Sequence, residues 1–342
     1  QYQADKTYRD YCAANNLPID DSQLNKPSQG KLRKQLNDIK REQYPFMLEV
    51  TKCSPQMAII QLGDAFNRFF KGQTKYPRPR KKGRDDRFTL SNDQFRIDGQ
   101  RIKIPNLGWV KMFKPLRFDG KTLSAKVFKK GGQWFVSVAV ELAQAVMPKT
   151  KTGKSIGIDL GITDLLVLSN GMKIQAPKPL KTQLAKLRRL NKSLSRKQKG
   201  SNNREKAKTK LSRLHAKIGN IRSNSLHQIT TYLVSEYDVL AIEDLNVSGM
   251  VKNRKLSRAI SDLGFYEFKR QLIYKANQWG KAVKSVDRFY PSTKTCHYCG
   301  HKVDELPLSV RMWQCPSCHT QHDRDINASM NILANANNLL TA

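Results

Sequence analysis

Ser155-Ile-Gly-Ile-Asp-Leu-Gly161 is the stretch on which the reading of the fold turns. Its apolar half has strand character. It closes on Asp159 just ahead of a glycine, where a side chain can leave the sheet for an open site. Leu165 to Leu168 reads as a second strand, which turns at Asn170-Gly171 into Met172 to Ile174. About sixty mostly helical residues follow. Val239-Leu-Ala-Ile-Glu243 is then a short apolar strand of the buried, parallel type, again ending on an acid. Phe265 to Trp279 has the pattern of an amphipathic helix, Ala282 to Phe289 that of a strand, and Ile326 to about Leu339 that of a last helix with Asp325 at its start.

Between Glu243 and Asp325 lie Cys296-His-Tyr-Cys299 and Cys315-Pro-Ser-Cys318, separated by fifteen residues. Each pair bends a tight turn that converges two thiolates, and two such turns complete a tetrahedral Zn²⁺ site. Gly300 and Pro316 suit that backbone. Cys315 to His319 also matches a covalent haem string, but the second CxxC and the lack of an export signal speak against it. His297, His301, His319 and His322 are alternative ligands, although four thiolates already fill the shell. Such a zinc is structural and does not activate water. Cys12 and Cys53 stand alone, which points to a reduced intracellular protein and not a disulfide scaffold.

The 342 residues carry 62 Lys+Arg against 28 Asp+Glu, a formal charge of +34. An excess of this size attracts a polyanion, and nucleic acid is the usual one. No segment approaches the ~18 apolar residues of a spanning helix. Residues 178–222 hold sixteen Lys/Arg and one acid, Glu205. Two leucine and isoleucine stripes there predict a pair of antiparallel basic helices joined around Gly200-Ser-Asn-Asn203.

Upstream, residues 1–70 read as helical, with breaks at Pro18, at Pro27 to Gly30 and at Pro45. Met57, Ile60, Ala65, Phe66 and Phe69-Phe70 form a stripe expected to be core. Lys75 to Arg84 is a basic Pro/Gly-rich linker. From Arg87 to about Val146 the period changes to two, with one hairpin around Asp98-Gly99 and another around Gly131-Gly132. That is a compact antiparallel sheet or barrel with Lys and Arg on its exposed alternates.

Asp159, Glu243 and Asp325 are the candidate catalytic acids. Cleavage of a phosphodiester by two divalent ions needs a cluster of hard oxygen ligands, and three acids from separate strand and helix ends are what an RNase H-like nuclease fold supplies. By residue type alone Asp164, Asp244, Asp287, Asp304 and Asp323 compete with them, and Asp325 could simply N-cap the last helix. The set, the order of elements and the charge together favour the three.

These residues also resemble a known family. Gly157 to Leu165, Val239 to Leu245, Pro291 to Gly300, Arg311 to Cys318 and His322 to Ile332 look like the TnpB (OrfB) proteins of insertion sequences, which are similar to the ancestors of type V CRISPR effectors. Leu107-Gly-Trp-Val110 and Gly132 to Val138 resemble that family's wedge domain. The resemblance implies a cytoplasmic RNA-guided DNA endonuclease of a transposable element, with a guide RNA and double-stranded target DNA as partners. It implies an RNase H-like (RuvC-type) core at 151–290 with a basic helical hairpin at 178–235, and a zinc ribbon at 291–322. It further implies a last nuclease motif at 323–342, a barrel-like wedge at 81–150 and a helical recognition region at 1–80. Asp159, Glu243 and Asp325 would bind Mg²⁺, and Cys296, Cys299, Cys315 and Cys318 would bind zinc. Family members begin with a strand and a helix ahead of residues 1–50, so an incomplete wedge and a trimmed start are expected here. The competing readings are an unguided transposase using the same acids, and a cleavage-deficient RNA-guided repressor.

Overall fold

The computed structural model describes residues 2–20, 28–79, 83, 86–142, 151–307 and 309–341. The chain divides into two compact units, residues 1–143 and 144–342.

The first unit opens with helices α1 (Tyr2–Ala14), α2 (Gln29–Gln43) and α3 (Cys53–Phe70). Ser28 caps α2, its hydroxyl accepting from the Lys31 amide at 3.1 Å. Gly30 therefore lies inside the helix, and the expected break stops short of it; Pro27 falls outside the described residues. The α3 stripe is not core. Cys53 is buried, whereas Met57, Ile60, Ala65, Phe66 and Phe69 are half-buried and Phe70 is 63% exposed. Only the first turn of α3 joins the apolar centre of the sheets, through Cys53. Further along, Phe66 and Phe69 pack edge-on against Tyr76, with ring centroids 5.7 and 5.6 Å apart. Residues 80–82 and 84 of the expected linker lie outside the described residues.

Six strands follow: β1 (Arg87–Ser91), β2 (Arg96–Asp98), β3 (Arg101–Ile104), β4 (Gly108–Lys111), β5 (Lys121–Lys130) and β6 (Gln133–Glu141). They pair as two antiparallel three-stranded sheets, β1-β5-β6 and β2-β3-β4. Among the described residues these do not close into one barrel. Their shared core is Leu90, Phe95, Ile102, Ile104, Ala125 and Val127. Lys130 pairs with Gln133, so Gly131-Gly132 is the whole loop, and both residues take the positive φ that a primed turn needs. Asp98 pairs with Arg101, which shifts the other turn to Gly99-Gln100, one residue beyond its expected centre.

In the second unit, β7 (Ser155–Leu160), β8 (Leu166–Leu168) and β9 (Lys173–Ile174) are followed by α4 (Pro179–Ser195) and α5 (Asn202–Glu236). Then come β10 (Val239–Glu243), α6 (Val247–Met250), α7 (Ser257–Leu263), α8 (Phe265–Gln278) and β11 (Ala282–Val286). β12 (Met312–Gln314), β13 (Gln321–Asp323) and α9 (Arg324–Thr341) end the chain. The main sheet has the order β11-β10-β7-β8-β9, with β7, β10 and β11 parallel and the β8-β9 hairpin antiparallel. β11 is three residues shorter than its apolar pattern suggested.

Strand alternation decides which layer each side chain meets. Ile156 and Ile158 of β7, and Leu240 and Ile242 of β10, enter a core shared with Leu226 and Leu233 of α5 and Phe268 of α8. The intervening Ala241 faces the other way, toward Val286, Ile332 and Ala336. Helices thus cover both faces of the sheet, which is why Val239 to Ile242 carries no polar residue. By the same period Asp159 shares its face with Gly157, and Glu243 shares its face with Ala241, on the side covered by α9. Gly157 makes the fit possible: a Cβ there would stand 2.0 Å from the Ser329 carbonyl oxygen. Among the described residues no helix is long and apolar enough to cross a membrane.

Candidate active site and metal centre

The register of β7 with β10 sets Ile158 opposite Ile242, so Asp159 and Glu243 follow side by side at the carboxyl ends of two adjacent parallel strands. Such ends are the usual ligand-facing edge of an α/β sheet. Asp325 joins them from the first turn of α9, the helix docked on that face. Asp159 feels the charges of the other two. Asp159, part-exposed but packed closely by protein, is pushed up to about 7, first by burial, then by the charges of Glu243 and Asp325. The Leu160 amide and the Arg324 guanidinium offset part of that. Glu243 is also raised by burial, against a hydrogen bond from the Ser292 hydroxyl to its Oε1 at 2.8 Å. Asp325 has Arg311 at 3.3 Å.

Three of the five competing acids have other duties. Asp323, not Asp325, caps α9: its Oδ1 accepts from the Asp325 and Ile326 amides at 3.0 and 3.1 Å, and Lys173 holds its other oxygen at 2.7 Å. Asp244, adjacent in sequence to Glu243, is paired with Lys269 at 2.8 Å and with Arg288, which hold its carboxyl below the usual range. Asp287 closes a turn by accepting from the Phe289 amide at 2.8 Å. The capping role that competed for Asp325 is therefore filled by another residue.

The four cysteines converge as the spacing predicted. Their Sγ atoms all lie within 4.8 Å of one another, with Cys296–Cys318 and Cys299–Cys315 each at 3.6 Å. A tetrahedron with Zn–S bonds of ~2.3 Å has edges of about 3.8 Å. The cluster could hold one zinc ion. Burial pushes Cys296 up to about 12, so a thiolate there calls for a cation. Hydrogen bonds from Thr320 draw Cys318 down to about 6. His322 does not replace a cysteine in this cluster; its Nε2 lies 3.0 Å from Cys296 Sγ and its ring packs at 4.8 Å on Trp313. Among the described residues this is the one group of three or more candidate ligands drawn so close, and the three carboxylates do not close on a single point in that way.

Sequence reasoning missed the residues that join the two centres. Ser292, Asn327 and Asn331 are all buried, and Asn327 and Asn331 lie one turn apart on α9 with hydrogen bonds into the segment 292–297. The available signal was the i, i+4 spacing of Asn327 and Asn331, in a helix that carries five asparagines. Arg324, also buried, donates to the Pro307 carbonyl at 2.8 Å. Twelve of the sixteen cations in 178–222 are exposed. Two of the others serve the fold: Arg204 donates to the Leu194 and Lys197 carbonyls at the end of α4, and Arg222 is bound to the buried Asp262.

A family model described as OrfB_IS605, "Probable transposase", matches residues 135–254, and one described as "Cas12f1-like, TNB domain" matches residues 265–332. The chain is 39% identical over 304 residues to a "Putative RNA-guided DNA endonuclease" of Streptomyces pristinaespiralis, covering 86% of the chain and 74% of that protein. It is 33% identical over 295 residues to the Escherichia coli K12 protein of the same description, InsQ, covering 82% and 73%. In fold it is similar to the Cas12f1 chain of a Cas12f1-sgRNA-target DNA complex, with a TM-score of 0.58 at 16% identity over 97% of this chain and 80% of the other. The chain belongs to the OrfB (TnpB) family.

Proposed function

We propose that the chain is an RNA-guided DNA endonuclease in which Asp159, Glu243 and Asp325 hold magnesium and Cys296, Cys299, Cys315 and Cys318 hold one structural zinc. The observation that carries this reading is the gathering of three carboxylates with no capping duty at one edge of an RNase H-like (RuvC-type) sheet, where Asp159 is raised to about 7. Clustered acids of this kind cost stability unless a hard cation joins them, and Arg324 offsets only part of the charge. When bound, such ions supply an activated water and stabilise the leaving oxygen of a phosphodiester. Asp159 and Glu243 set the frame from adjacent strands, and Asp325 closes it from α9.

The charge of +34 and the exposed cations of α4 and α5 suit a guide RNA and a double-stranded DNA target. Sequence would then be read by base pairing while the protein holds backbone and shape. We assign residues 1–80 to a helical recognition region, 81–150 to the wedge, 151–290 to the nuclease core, 291–322 to the zinc ribbon and 323–342 to the last nuclease motif. The setting is the cytoplasm of the host of a transposable element.

The test is to purify the chain from cells carrying its own locus, sequence the RNA that comes with it, and challenge a plasmid matching that RNA in magnesium. A defined RNA and matched cleavage are expected. Asp159→Ala, Glu243→Ala and Asp325→Ala should each abolish cleavage and retain RNA binding. Strand transfer without RNA would establish the transposase instead, and guided binding with no cleavage by the unaltered chain the repressor.

A further inference from the structure

We propose that Ser292 is a positioning residue for Glu243, anchored by Asn331 as one end of a hydrogen-bonded bridge between the cysteine knuckle and the carboxylate cluster. The inference rests on Glu243 being a magnesium ligand. Ser292 is 3% exposed, and its hydroxyl donates to Glu243 Oε1 at 2.8 Å. It lies four residues ahead of Cys296, on the segment leading into the knuckle. Its own carbonyl accepts from Asn331 Nδ2 at 2.8 Å, and the same amide reaches the Thr295 carbonyl at 2.6 Å. One turn earlier on α9, Asn327 donates to the Thr295 carbonyl at 2.7 Å and accepts from the His297 amide, inside the first CxxC, at 2.9 Å.

Two amide side chains, 1% and 3% exposed, are costly to bury unless their polar atoms find partners. Here they do, and the partners are successive backbone groups of one loop. Apolar residues could fill the same space but could not fix that loop in register. The bond that Ser292 directs out of this loop goes to a carboxylate, and the donor is neutral. A lysine or arginine in place of Ser292 would hold Glu243 equally well but would cancel the charge a cation needs, as happens at neighbouring Asp244. A hydroxyl restrains the carboxylate and leaves its charge intact. Asp325 stands two residues ahead of Asn327 on the same helix, so one rigid piece, knuckle plus α9, aligns both carboxylates.

The experiment measures Mg²⁺ binding to the zinc-loaded full chain by calorimetry, alongside the magnesium dependence of guided cleavage. Removal of a ligand-orienting hydrogen bond weakens metal binding about ten-fold or more. Ser292→Ala is therefore expected to bind Mg²⁺ about ten-fold more weakly and to need correspondingly more magnesium for half-maximal cleavage. Its zinc content, RNA binding and cleavage rate at saturating magnesium should match the unaltered chain, and Ser292→Thr should restore tight binding. Unchanged Mg²⁺ binding by Ser292→Ala overturns the proposal. Glu243→Ala separates the two readings: if it loses Mg²⁺ binding while Ser292→Ala does not, only the positioning role fails. If Glu243→Ala also binds Mg²⁺ normally, the metal-ligand reading of Glu243 fails. Should Ser292→Ala lose its zinc, Ser292→Thr decides, with normal Mg²⁺ binding sustaining the proposal and ten-fold weaker binding overturning it.

Discussion

Asp159→Asn should make the magnesium-free protein more stable at pH 8, although it removes a proposed magnesium ligand. The carboxyl of Asp159 gives up its proton near 7 in the fold and near 3.8 when the chain is unfolded. Between those values the unfolded state binds fewer protons, so stability falls as pH rises, and the loss is complete above about pH 7. A displacement of about three pH units corresponds to roughly 4 kcal/mol. Relaxation and water entry halve such figures, leaving about 2 kcal/mol as the working expectation. Asparagine keeps an oxygen for the Leu160 amide and carries no charge. For a unit of this size about 2 kcal/mol moves the melting temperature by roughly 4–8 °C. The assay is thermal melting of both proteins with zinc retained and magnesium removed, at pH 4 and pH 8, with hydrogen exchange of the β7 and β10 amides reporting on the same unit. The variant should melt higher at pH 8 and equally at pH 4. Adding magnesium should raise only the unaltered protein. A variant no more stable than the parent at pH 8, or one whose advantage is as large at pH 4, refutes the account of Asp159 as a closely packed carboxylate repelled by its neighbours.

Gly157→Ala should uncouple α9 from β7, because the added methyl would overlap the Ser329 carbonyl oxygen; a loss of at least ~3 kcal/mol in stability, with cleavage lost alongside, is expected from melting and plasmid assays. Asp244→Asn should cost no more than about 1 kcal/mol and leave the magnesium dependence of cleavage unchanged, in contrast to Glu243→Gln one residue away, since Asp244 serves two part-exposed ion pairs. Cys318→Ser should lower zinc content and melting temperature together, as metal binding contributes to the folding of such knuckles; retention of both would remove the zinc assignment.

Much of the second unit was legible because its signals are local. β7 and β10 announce themselves as short apolar runs ending near acids, the paired CxxC turns fix the thiol cluster, and the leucine and isoleucine stripes of α4 and α5 mark their less exposed sides. The α3 stripe misled because periodicity reports that a face is apolar, not that another layer covers it. The turn at Gly99 was displaced because register follows strand pairing, here Asp98 with Arg101, and not the favoured dipeptide.

By itself the sequence determined the order of elements, the metal chemistry of the cysteines, the polyanion partner implied by +34, and a short list of acids. It could not choose within that list, because Asp323 and Asp325, or Glu243 and Asp244, differ by one or two positions and not in chemistry. Tertiary structure gives them different surroundings. Lys269, Arg288 and the α9 amides occupy Asp244 and Asp323, and strand alternation with the α9 docking at Gly157 brings Asp159, Glu243 and Asp325 together. Charge proximity and hydrogen-bond partners belong to three dimensions, and the free energy that separates a ligand from a cap arises there.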